Sequence, residues 1–145
     1  MTWLDTLSIL IIGFVGSAEF ASVALVHPVV RKLPADQQLV VEKGLLRTFG
    51  RVMPSGMTAA AALGTAVAIE RPSALLIAAA GVLTVALVVT IAGNVPINLR
   101  TGRIVGRKAP EGFITMRRRW DAFQLVRGSL QLLGFVLATI GIAVH

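Results

Sequence analysis

Glu19, His27 and Arg127 are the residues of this sequence best placed to do chemistry, because each lies within or at the edge of a long apolar run. Ionisable groups in such surroundings are costly to keep, so they are paired or used. Other polar residues recur at helical spacing. Thr90, Asn94 and Asn98 are four residues apart and share one face. Trp120, Gln124, Arg127 and Gln131 follow one another at intervals of four, three and four, again one stripe. Arg47, Arg51 and Ser55 form a further stripe. A carboxylate or imidazole screened from water can act as a general base. A guanidinium and two amides can hold an oxyanion. Glu19 and His27 could instead share an iron or copper ion. Eight residues of regular helix would separate them by about 12 Å, which is long for one metal. The plainer readings are that Arg51 and Arg127 reach to headgroups, that His27 ends a helix, and that Asn94 and Asn98 serve backbone freed by Pro96. For Glu19 the plainer reading is an ion pair with Arg127 or Arg51.

These residues must be positioned by helices in lipid. Apolar residues make up 55% of the 145 and charged residues 14%, far below the roughly one quarter of a soluble domain. Mean hydropathy is +0.80. Four stretches, about 3–26, 52–69, 73–93 and 123–144, can each cross a hydrocarbon core of about 20 helical residues. Backbone groups in lipid must be satisfied within the segment, so these are helices. The expected fold is all-α, a single four-helix transmembrane bundle over residues 1–145. With no basic residue before Arg31, the first run reads as a retained span and not a cleaved signal.

Thirteen of the 14 basic residues fall between runs one and two, between runs three and four or, for Arg127, just inside run four; Arg71 alone lies elsewhere. The positive-inside rule then puts both longer loops in the cytoplasm and both termini outside the cell membrane. All the polar stripes fall in the cytoplasmic half, which predicts one polar pocket there. Arg117, Arg118 and Arg119 read as topology determinants and phosphate contacts. Pro34, Ala35 and Asp36 start an amphipathic cytoplasmic helix carrying Leu39, Leu46 and Phe49, which runs towards helix two. Residues 101–112 read as a loop. Ala60, Gly64 and Ala68 give helix two a small-residue face for a neighbouring helix or a second copy of the chain. A net charge of +7 in interhelical stretches is a topology signal, so nucleic acid is not an expected partner. There is no cysteine.

Gly16-Ser17-Ala18-Glu19-Phe20, His27-Pro28 and Leu33-Pro34 are followed by Gly93-Asn94-Val95-Pro96-Ile97-Asn98, then Arg119-Trp120 and Arg127. With this pattern the chain resembles the anthrone-oxygenase-like family of small four-helix membrane proteins. Four residues after the tryptophan, members commonly carry histidine, where this chain has Gln124. The resemblance implies a membrane-embedded oxygenase or oxidoreductase acting on an apolar, polyketide-like aromatic molecule. Molecular oxygen would be the co-substrate and lipid the surroundings. In that reading Glu19, His27 and Arg127 are catalytic, and Asn94, Asn98, Gln124, Trp120 and Arg51 bind substrate. Cofactor-free oxygen chemistry is open beside a metal at Glu19 and His27. The alternative is a non-catalytic accessory protein that binds a lipid or small molecule.

Overall fold

A computed structural model describes all residues 1–145, and it is all-helical. Four helices are long and apolar enough to cross a membrane: α1 Trp3–Val30, α2 Ala35–Glu70, α3 Ala74–Arg103 and α4 Phe113–Ala143. Each exceeds its expected span. The amphipathic segment and helix two are one unbroken helix of 36 residues, about 54 Å long at about 1.5 Å per residue. Pro54 sits inside it without ending it. Residues 101–103, expected in a loop, continue α3, and α4 starts at Phe113, about ten residues before the apolar run. Polar sequence hid these extensions, because outside the hydrocarbon a helix needs no apolar surface on every side.

The helices form an antiparallel ring in which α1 packs on α2 and α4, and α3 packs on α2 and α4. Short connections at 31–34, 71–73 and 104–112 require neighbouring helices to run antiparallel. Thr2 and Asp5 form a capping box at the start of α1, and the Ser73 hydroxyl caps α3 at Leu76. Leu10, Phe14, Ile77, Val85, Val88, Leu133 and Ile140 are all exposed, giving the apolar outer surface expected of lipid-facing helices.

Inside, small residues bring the helices close. Ile12, Ala60, Ala61, Ala79, Leu83 and Ala138 make one core cluster. A Cβ on Gly64 would come within 2.9 Å of Leu83, so the small face of α2 is spent on α3 within the chain. Gly16 is tighter, since a Cβ there would lie 2.9 Å from the backbone oxygen of Gln131 on α4. At one end of the bundle Arg71 closes on the fully buried Asp5.

Two π-helical turns interrupt α1 at Ser22–Val26 and α3 at Thr90–Asn94. Such turns widen a helix by one residue and are common at functional sites. Each is followed by proline, Pro28 and Pro96, within the next helical turn.

Candidate functional site

The polar groups of the end opposite Asp5 form two linked networks. The inner one begins with Glu19, which is fully buried on α1. Its carboxylate accepts from Arg127 Nη2 at 2.9 and 3.2 Å and from Gln124 Nε2 at 2.8 Å. Arg127 Nε donates to Gln124 Oε1 at 2.5 Å, and Nη1 lies 3.4 Å from the Thr90 hydroxyl in the second π turn. Gln124 is therefore the clamp that holds carboxylate and guanidinium together. Of the two expected counter-charges for Glu19, Arg127 is the one used.

The outer network centres on Glu42 of α2, also buried. It accepts from Arg117 Nη2 at 2.6 Å and Arg31 Nη1 at 2.7 Å. Arg31 also makes a two-pronged pair with Asp121 on α4, both bonds 2.6 Å. Burial alone would lower the Arg31 pKa, but the hydrogen bonds to Asp121 and Glu42 outweigh it and raise the value above the ordinary one. Arg117 completes its partners with the Thr101 hydroxyl at 3.3 Å.

His27 and Trp120 stand between the networks. The His27 ring lies 4.5 Å from that of Trp120, centroid to centroid, while Arg117 stacks over the indole at 4.4 Å and Arg127 lies 5.9 Å from it. His27 Nδ1 is 2.9 Å from the Ser22 carbonyl, an oxygen that also accepts the His27 backbone N–H. A carbonyl can only accept, so in the neutral ring the proton is on Nδ1 and the lone pair on Nε2. Nε2 is buried without a hydrogen-bond partner, 3.8 Å from Glu42. The first π turn thus sets the tautomer of the histidine that follows it.

A cavity of about 30 Å³ lies here, walled by His27, Glu42, Asn98, Trp120 and Arg127 and by the apolar Leu45, Leu46, Phe49 and Met53. That is room for about one or two water-sized molecules. Asn98 Oδ1 is a second unpartnered atom beside it.

His27, Asn98, Trp120 and Arg127 share the cavity, as the spacing predicted, and Glu19 and Gln124 stand behind Arg127. Asn94 is fully buried, but its Nδ2 donates to the Trp120 carbonyl on α4 at 3.3 Å and not to backbone near Pro96. Arg51 and Ser55 are corrections: both are exposed, and Arg51 lines a separate polar recess with Lys43 and Arg47. On this stretch of α2 Glu42 and Met53 take the buried places, and Arg47, Arg51 and Ser55 lie on the opposite, exposed side. The Glu19–His27 metal pair does not form either, since Glu19 is taken up by Arg127 and Gln124 while His27 faces Glu42. No three His, Asp or Glu side chains gather anywhere, and the two site carboxylates are already neutralised by arginines, so this donor set does not fit an iron or copper ion.

Sequence reasoning missed Glu42, Arg117 and the Arg31–Asp121 pair. The signal for Arg117 was present. It stands three residues before Trp120 and extends the same stripe inwards, but its neighbours Arg118 and Arg119, both exposed, made the run look like a charge cluster.

An all-helical bundle of four potential spans, with its ion pairs inside and its apolar side chains outside, is an integral-membrane type of architecture. The chain belongs to the anthrone oxygenase family, whose profile matches residues 44–137, well over half its length. Asn94, Pro96, Asn98, Trp120 and Arg127 lie within that stretch, whereas Glu19 and His27 precede it. No curated protein and no solved structure matches the chain.

Proposed function

We propose that this protein uses dioxygen to oxidise an apolar aromatic molecule bearing an acidic C–H group, with His27 as the proton acceptor. The observation that carries the reading is the contact of His27 Nδ1 with the Ser22 carbonyl, which leaves Nε2 unpartnered at the cavity. Glu19 serves by holding Arg127, not as the base, because its oxygens are already engaged.

For a CH₂ group next to an aromatic ketone, His27 Nε2 removes one proton, and the charge moves to the ketone oxygen. Arg127 and the Asn98 amide N–H are the donors available to hold that oxyanion. The electron-rich carbon passes one electron to dioxygen, and the two radicals join as a peroxide, which takes the proton from His27. Loss of the second C–H proton with cleavage of the O–O bond leaves a carbonyl and water. Overall CH₂ and O₂ become C=O and H₂O, so no further reductant is required. A cavity of about 30 Å³ suits dioxygen and not the aromatic. The substrate reaches this cavity by displacing Leu45, Leu46 or Phe49, all half-buried.

The test is oxygen uptake by the purified protein with a panel of anthrone-like ketones. Replacing His27 by alanine should cut turnover by about 10²-fold or more, the usual contribution of a general base, with helix content unchanged. Full uptake by His27→Ala would end the proposal. A second reading, a non-catalytic binding protein, draws support from the small cavity and the pairing of every charge around it. It predicts substrate binding by the wild type without uptake.

A further inference from the structure

A larger recess lies between α3 and α4, separate from the His27 cavity. Its volume is about 600 Å³, and Ala92, Gly93, Pro96, Ile97, Met116 and Phe123 supply its apolar surface. Arg100 and Arg119 stand on its walls, both exposed, and neither joins the ion pairs that engage Arg31, Arg117 and Arg127. Gly93 makes the floor possible, since a Cβ there would lie 2.5 Å from the Phe123 ring.

We propose that this groove binds an anionic membrane phospholipid, with the phosphate between Arg100 and Arg119 and an acyl chain along Gly93 and Phe123. Two features argue for a lipid over a soluble anion. The floor belongs to the apolar part of helices that are long enough to cross a membrane, so its occupant lies in hydrocarbon. The arginines stand about two turns of α3, and one turn of α4, further towards the polar ends, the offset of a headgroup from its chain. The recess at Lys43, Arg47 and Arg51 has the charge but only Leu46 as apolar lining, so it offers no seat for a chain. This inference stands apart from the oxidation chemistry.

The experiment uses the full chain with its methionine methyls labelled, observed by NMR in neutral micelles. Adding short-chain phosphatidylglycerol should shift Met116, on the groove wall, and leave the fully buried Met57 in place; phosphatidylcholine should shift neither methionine. Inorganic phosphate should not reproduce the shift, and doing so would identify a simple anion site and overturn the lipid assignment. The Arg100→Gln, Arg119→Gln double variant should lose the preference for phosphatidylglycerol by about 25-fold, at about fivefold for each arginine. Arg118→Gln, exposed but off the groove, should keep it. A Met116 signal indifferent to headgroup charge, or equal loss in Arg118→Gln, would overturn the proposal.

Discussion

Replacing Glu19 by glutamine should destabilise the fold, because Arg127 then has no charge partner in the interior. Arg127 meets the carboxylate at 2.9 and 3.2 Å, and its side chain is only 8% exposed. Removing one partner of such a buried pair costs about 3–5 kcal/mol. The new amide has one acceptor oxygen in place of two, so it can serve Arg127 or Gln124 and recovers about 1 kcal/mol. The expected loss is therefore about 2–4 kcal/mol. Arg127→Met should cost about 3–5 kcal/mol by stranding the carboxylate instead. The double variant removes both charges and should return to within about 1 kcal/mol of the wild type. Unfolding in mixed dodecyl sulfate and maltoside micelles can be followed by tryptophan fluorescence. Trp120 lies against Arg127, and the exposed Trp3 can be replaced by phenylalanine to leave one reporter. A Glu19→Gln protein as stable as the parent, with no coupling in the double variant, would show that the pair is not ionised and that the reasoning fails.

Glu42→Gln should cost about 3 kcal/mol or more, since both Arg31 and Arg117 lose their shared carboxylate, and chemical unfolding in the same micelles measures it. Gly16→Ala should cost about 1–3 kcal/mol by forcing α1 from the α4 backbone. Gly81→Ala, with no atom within 4 Å of the new methyl, should cost nothing in the same assay. Cysteines introduced at Thr2 and Val105, both exposed, should label from opposite sides of intact cells, position 2 from outside. Labelling of position 105 from outside would reverse the orientation.

The number of spans and the inward stripe of α4 were legible because lipid leaves long apolar runs and punishes stray polar groups. The stripe at Trp120, Gln124 and Arg127 therefore carried both its location and its contact with α1. Glu42 was not legible in this way, because it sits on a segment already rich in charge, where burying one carboxylate leaves no mark on composition. Arg51 was misplaced for a related reason. Four-residue spacing fixes which residues share a face but not which face turns inwards, and α2 turns Met53 and Met57 there instead.

The π turns alter what distance along the chain means. Eight residues of regular helix rotate through about 800°, leaving the ends about 80° apart. A π turn absorbs one residue, so the rotation becomes about 700° and the ends nearly eclipse. Glu19 and His27 are eight apart across the first turn, and Thr90 and Asn98 are eight apart across the second. Deleting a single residue such as Ala24 would restore an ordinary helix, still apolar and still long enough to cross. Glu19 and His27 would then be seven apart, about 700° of regular helix, and would stay on one face, whereas straightening the π turn with every residue kept would swing His27 by about 100° relative to Glu19. In this chain the span and the site are written in different reading registers, and one residue is the offset between them.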